Sequence, residues 1–234
     1  MTVCNSYTYI FKKLLKRGPF FLWTYFRESI LFDLTNGTNT HFRSVKPEKK
    51  QLYKPDEYDD GLIYVASFTS VVNNTLNVAK EFLGEKFYMS QFVDLGCGKG
   101  KSLLLYALDH KKQQTYPCIG IEYDETLYSK AMKNLVRLRL YPNTATVICD
   151  SATEFQRYIS THWLIVYTYN SFQGDTFRKT LDRLSNYPHL LIYVDPHEKS
   201  VLSEYGYDIL ATHDGKYNAD TWLVAANPKI SEML

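Results

Sequence analysis

A chain of 234 residues with 45% hydrophobic and 22% charged side chains can bury a substantial core, as one large domain or as a domain of about 150 residues with an accessory segment. The formal net charge of +2 excludes a global field of the kind that selects nucleic acid, and no run reaches the roughly 18 to 20 uninterrupted apolar residues of a membrane span. Cys4, Cys97, Cys118 and Cys149 lack metal-ligand spacing and the N-terminus lacks a signal-peptide pattern, so the expectation is a cytoplasmic protein with reduced thiols and no metal.

In chain order, residues 1 to 40 predict two short helices split by Gly18-Pro19, which ends one helix and can open the next. The first interleaves Lys12, Lys13, Lys16 and Arg17 with Phe11, Leu14 and Leu15, a pattern that suits either a cap packed on the domain or peripheral contact with anionic lipid. The second places Trp23, Phe26 and Ile30 on one face. Residues 41 to 61 hold two prolines and many charges with little periodicity, and read as a surface loop and linker. The chain therefore divides into an N-terminal helical extension and loop, 1–61, and a main domain, 62–234. From 62 onward Val65, Phe68, Val72, Leu76, Ala79 and Leu83 recur at helical intervals.

Beyond Glu85, apolar runs alternate with helical periods. The runs are QFVDL (91–95), CIGIE (118–122), ATVICD (145–150), WLIVYTY (163–169) and LLIYVD (190–195), with helices expected around 100–110, 124–139, 151–158 and 175–185. Continuous apolar strands joined by helices predict a parallel sheet covered on both faces. YDILATHD and TWLVAA, separated by a polar turn around Gly215, predict an antiparallel hairpin. The expected fold is an α/β three-layer sandwich, with a mostly parallel seven-stranded sheet closed by that C-terminal hairpin and preceded by the helical extension.

The stretch VDLGCGKGKSLLL (93–105) admits three readings. A phosphate-binding P-loop needs glycine, four residues, then Gly-Lys-Ser; Gly100-Lys101-Ser102 supplies the end, but Leu95 stands where the first glycine belongs. The dinucleotide fingerprint wants glycine at the first, third and sixth places, and here Lys101 holds the sixth while Asp94 would repel a pyrophosphate. The third reading fits without strain. D-L-G-x-G-x-G after a strand resembles motif I of the class I S-adenosylmethionine (SAM) dependent methyltransferases, whose cofactor is cationic and carries no phosphate.

That resemblance implies SAM as cofactor and S-adenosylhomocysteine as product. It implies a binding set of Asp94, Gly96, Cys97, Gly98 and Gly100 at the loop, Glu122 and Tyr123 for the ribose after the second strand, and Asp150 and Ser151 for the adenine after the third. Taken singly, each of these acids has another explanation as a helix N-cap after a strand. The loop after the fourth strand, Tyr169-Asn170-Ser171-Phe172, looks like the N-P-P-[YF] signature of several family members, with Ser171 where they keep proline. The resemblance makes Tyr169, Asn170 and Phe172 the acceptor-binding candidates and Tyr169, Asn170 and His197 the catalytic ones. Asp195, His197 and His41 are the candidates for a general base, although His197 in a Pro-His-Glu turn also reads as an exposed residue at a helix start. The segment FDLTNGTNTHF (32–42) reads as a lid over the cofactor or as a plain connector. The expected activity is methyl transfer to an oxygen or nitrogen of a small molecule or glycan, with no nucleic-acid partner. Protein lysine methylation and a non-catalytic SAM-binding partner subunit stand as alternatives.

Overall fold

The computed structural model describes residues 18–41, 64–216 and 218–231. The basic helix expected before Gly18 and most of the loop expected at 41–61 lie outside the described residues.

The described chain opens with α1 (Pro19–Tyr25), a π-helical turn (Phe26–Ile30) and α2 (Leu31–Asn36), which follow one another without a break. Proline at the first helical position costs no hydrogen bond, and Gly37, left-handed at φ 65°, ends the run. Next come α3 (Thr69–Leu83), α4 (Lys86–Met89), β1 (Gln91–Leu95), α5 (Lys101–His110), β2 (Cys118–Ile121), α6 (Glu125–Arg137) and β3 (Ala145–Ile148). A 3-10 helix (Ala152–Arg157), β4 (Leu164–Tyr169), α7 (Gly174–Leu184), β5 (His189–Val194), α8 (Lys199–Glu204), β6 (Asp208–His213), a second 3-10 turn (Asn218–Asp220), β7 (Trp222–Ala226) and α9 (Pro228–Ser231) complete it.

The strands form one sheet of seven in the order β3-β2-β1-β4-β5-β7-β6. Strands β1 to β5 run parallel, while β7 is antiparallel to both β5 and β6. Each parallel step requires a crossover, and the crossovers lay helices on both faces. On one face Val72, Leu76 and Leu83 of α3 and Leu103 and Tyr106 of α5 meet Phe92, Tyr167 and Val224, with Phe92 and Tyr106 stacked 4.4 Å apart. On the other, Phe155, Phe177, Leu181, Leu184 and Leu202 cover Val93, Val166, Leu191 and Leu223. This is the expected three-layer sandwich with its closing hairpin. The strand order reverses between β1 and β4, and the carboxyl ends of those strands are where ligands of open α/β sheets are held.

Two expected helices differ. The helix predicted from 62 begins at Thr69; residues 64–68 are not helical, and Val65 is exposed while Phe68, Val72, Leu76, Ala79 and Leu83 keep the buried stripe. The start is set from outside the helix: the Glu28 carboxylate accepts from the Ser70 N–H at 2.9 Å, and the Tyr167 hydroxyl holds Ser67 at 2.7 Å. The segment expected as a helix at 151–158 is the tighter 3-10 form over Ala152–Arg157.

Candidate active site

The β1–α5 turn is built on three glycines that all adopt backbone torsions hostile to side chains, with φ of 74° at Gly96, 56° at Gly98 and 80° at Gly100. Close approach adds to the demand. A Cβ at Gly96 would lie 2.3 Å from the Ser171 Cβ, and one at Gly98 would lie 2.1 Å from the ring of Tyr64. The turn is thus clasped between the β4 loop on one side and the segment before α3 on the other.

The signature residues of a P-loop are committed elsewhere. Lys101 is buried, and its ammonium donates to the Glu28 carbonyl while lying over the Phe32 ring. The Ser102 hydroxyl donates to Asp94. Neither is aimed at a ligand in the crevice, which removes the phosphate reading on geometry.

Two carboxylates sit at the tips of β1 and β2, both fully enclosed. Burial pushes the Asp94 carboxyl up to about 7, against the pull of the Ser102 hydroxyl. Burial likewise raises Glu122 to about 7, opposed by the N–H groups of Asp124 and Gly98, each 2.8 Å from one of its oxygens. Every donor that reaches these two groups among the described residues is neutral. Each carboxylate oxygen can accept a second bond, so the two N–H groups orient Glu122 without using it up.

The helix-capping explanation for the acids is answered by their neighbours. Asp124 caps α6, accepting from the N–H groups of Thr126 and Leu127 at 2.8 and 3.0 Å, and Ser151 caps the 3-10 helix through Thr153. Glu122 is therefore not a cap. Asp150, two residues past the end of β3, accepts from the Tyr158 hydroxyl at 2.5 Å and from the Ser151 N–H at 2.8 Å. Tyr123 is half-buried beside them. Cys97 turns its side chain away into the sheet, where its sulfur would lie 2.7 Å from a Cβ on Gly120; burial, together with the Asp94 and Glu122 carboxylates, pushes its thiol well up.

At the ends of β4 and β5 the backbone is again unusual. Asn170 and Asp195 are two of the three non-glycine residues with positive φ among the described residues, at 37° and 51°. Asn170 is buried and its carbonyl oxygen accepts from Gln173 at 3.1 Å. Tyr169 is half-buried next to it, whereas Phe172 points into the core against Phe177. His197 is exposed, with Nε2 3.0 Å from the Asp195 carboxylate.

The N-terminal turn joins the site through the FDLTNGTNTHF segment and through Tyr64 and Asn134, which sequence reasoning missed. Asp33 accepts from the Thr38 hydroxyl at 2.6 Å, the Thr40 hydroxyl at 2.9 Å and the N–H groups of Thr40 and His41 at 2.7 and 2.9 Å, and its carboxylate meets the His41 imidazole. Burial raises its pKa, but these bonds, His41 first, hold it well below the usual carboxylate range. The knotted turn reaches the glycine loop twice. The Tyr64 hydroxyl donates to the Thr40 carbonyl at 2.8 Å, and Asn134 bridges, accepting from the Asn39 N–H at 3.1 Å and donating to the Lys99 carbonyl at 3.1 Å. Of these groups only the FDLTNGTNTHF motif carries a sequence signal; nothing in the sequence marks Tyr64, Asn134 or Gln173.

No protein-family model and no curated protein matches the chain. Solved structures do. A Listeria monocytogenes protein assigned to the class I SAM-dependent methyltransferases is 11% identical, with a TM-score of 0.51 over 68% of this chain and 59% of its own. A precorrin-6y C5,15-methyltransferase from Geobacter metallireducens is 14% identical over 74% of this chain and 97% of its own, with a TM-score of 0.49. An rRNA methylase from Streptococcus thermophilus is 13% identical over 67% and 95%, with a TM-score of 0.48. The strand order, the reversal at β1 and β4, and the likeness to the Listeria protein together identify the fold of this chain as that of the class I SAM-dependent methyltransferases.

Proposed function

We propose that the chain is a SAM-dependent methyltransferase acting on an oxygen or nitrogen of a small molecule or glycan. One observation carries the cofactor: two enclosed carboxylates at the tips of adjacent strands, both raised to about 7 and both served only by neutral donors, flank a turn of left-handed glycines. Such an arrangement is uncomfortable when both groups are ionised and is relieved by a cationic ligand. A dinucleotide or nucleoside triphosphate would add negative charge to it.

The residues fit the group. The backbone of Gly96 to Gly100 would give the methionine part its close approach, and Asp94 would offset its positive charge. Glu122, already oriented by Gly98 and Asp124, would accept from the ribose hydroxyls, and Asp150, with Tyr123 and Ser151, would meet the adenine. Bound there, SAM supplies an electrophilic methyl on a positively charged sulfur. The chain's part is then to hold the acceptor in line and exclude water, which accounts for most of the acceleration in a displacement of this type. Asn170 and Tyr169 position the acceptor. For an oxygen acceptor the proton would move to His197 Nδ1, with Nε2 held by Asp195, or to the ring nitrogen of His41 that does not face Asp33; a nitrogen acceptor arrives neutral. Phe172, turned into the core, supports the loop from below. The free buried thiols Cys97 and Cys118 suit a cytoplasmic setting.

Calorimetric titration with SAM, and with ATP as the phosphate-bearing control, tests the reading. Binding of SAM alone, lost in Glu122→Ala, is the expected result. No heat with SAM, or tighter binding of ATP, overturns it. Incubation with radiolabelled SAM and fractionated lysate then shows which pool takes the label; label in protein alone turns the assignment to protein methylation, and binding without any transfer turns it to a non-catalytic subunit.

A further inference from the structure

A helix lying on a globular surface ordinarily turns its apolar stripe inward and its charges to water. Residues 19–36 follow this only in part. Phe21 and Phe32 are buried, but so are Glu28, Ser29 and Asp33, while Phe20, Trp23, Phe26, Leu31 and Leu34 are 64%, 61%, 37%, 41% and 67% exposed. The buried polar groups have a cause on the inner side. Glu28 caps α3 and its carbonyl takes the Thr69 hydroxyl and the Lys101 ammonium, and Asp33 ties the 38–41 turn. The polar face is therefore spent on the protein.

The outer face is continuous because of the π-helical turn. The apolar positions step by three from Phe20 to Trp23 to Phe26 and from Leu31 to Leu34, but by five between Phe26 and Leu31. In a regular α-helix a step of five rotates a residue well off its face. Here the Leu31 N–H bonds back to the Phe26 carbonyl, and the wider turn returns Leu31 to the line of Phe26. Trp23 and Phe26 stack on this face 6.0 Å apart. A row of exposed aromatic and aliphatic side chains kept in phase by a helical irregularity is a surface with a partner.

The charges at its margin indicate which kind. Arg27, whose guanidinium is ion-paired with Glu28 at 2.8 Å, is the one ionised side chain that α1, the π-turn and α2 expose, since Glu28 and Asp33 are buried. Lys216 lies 5.3 Å over the ring of Phe20, and Arg137 packs against Gly37 at the other end. Tryptophan and phenylalanine on a face bordered by cations suit the boundary between headgroups and acyl chains of an anionic bilayer. We infer that the outer face of residues 19–36 docks on an anionic lipid surface.

The test uses the full chain with vesicles of phosphatidylcholine alone and of phosphatidylcholine mixed with phosphatidylglycerol. Co-sedimentation with the mixed vesicles, weakened by salt, is expected, along with quenching of Trp23 by brominated acyl chains. Phe20→Ser combined with Trp23→Ser lowers the partition coefficient at least about tenfold, equivalent to roughly 1.4 kcal/mol, with SAM binding unchanged; Leu34→Ser is the independent second variant. Three outcomes overturn the inference. One is no co-sedimentation with either vesicle. Another is a dimer in light scattering that the same serines convert to monomer, which makes a second copy the partner. The third is a Trp23 already shielded from aqueous acrylamide in vesicle-free protein, which makes another part of this chain the cover.

Discussion

Besides Asp124, which caps α6, the buried carboxylates near the glycine loop divide into two unlike pairs. Asp33 and Glu28, in the N-terminal helix, are held below the usual carboxylate range: burial raises both, but His41 and the threonines outweigh it at Asp33, as the Ser70 N–H and Arg27 do at Glu28. Asp94 and Glu122, at the strand tips, lie deeper, and both are raised to about 7 because burial outweighs their neutral donors. Depth and partners together decide what a buried acid is for. The first pair is complete within the protein and holds the molecule together, whereas the second, on the proposed function, would be completed by a cation.

The largest expected difference between the pairs is in stability. Asp33→Asn turns an amide toward donors that require an acceptor and costs about 3 kcal/mol in denaturant unfolding. Asp94→Asn at pH 8 leaves the ligand-free protein within about 1 kcal/mol of the parent, because it replaces a charge the fold does not compensate. If the two substitutions cost the same, the division is wrong. Next in size is Glu122→Ala, which weakens SAM binding by about 100-fold in calorimetry through loss of a charge-assisted bidentate contact.

A smaller effect follows from pH, with opposite signs for the two pairs. Asp94 and Glu122 titrate in the folded state near 7, above their ordinary values of 3.8 and 4.5. The folded protein then holds more protons between those limits, and this contribution to stability falls as pH rises from about 4 to about 7. Asp33 and Glu28 are depressed, so their contribution is present above the ordinary values and is lost as pH falls below them. Calorimetric scans of the ligand-free protein should therefore show declining stability from about pH 5 to pH 7, and SAM should release protons when it binds near pH 6. Proton uptake on binding is the outcome that contradicts this. The smallest effect is at Tyr64→Phe, which removes the bond to the Thr40 carbonyl and costs about 1 kcal/mol; a larger loss of SAM affinity than of stability would show that the turn also shapes the cofactor loop.

Much of the sheet was legible because its strands are buried on both faces and so appear as unbroken apolar runs bounded by turn residues; QFVDL maps onto β1 without an offset. The glycine loop was legible because backbone torsion restricts residue type locally. The start of α3 was not, since its periodic stripe extends back to Val65 and the true boundary is set by Glu28, a residue distant in sequence. The inward-facing acids of the N-terminal helix were hidden for the same reason. Aligning Trp23, Phe26 and Ile30 on one face ignores the extra residue of the π-turn, which brings Leu31 onto the exposed line instead. Tyr64 and Asn134 carry no pattern at all, because their importance lies in what the folded chain sets against them.

Lys101 has a consequence for how the protein can be cut. Its ammonium, enclosed and lowered to about 8 by burial, depends on a carbonyl contributed by the segment ahead of the sheet. Trimming that segment at the loop boundary would leave the lysine without its acceptor in an apolar setting and α3 without the carboxylate at its first turn. The shortened product would lose its proton or open its core, so the shortest fragment that keeps the cofactor turn intact has to begin upstream of Glu28.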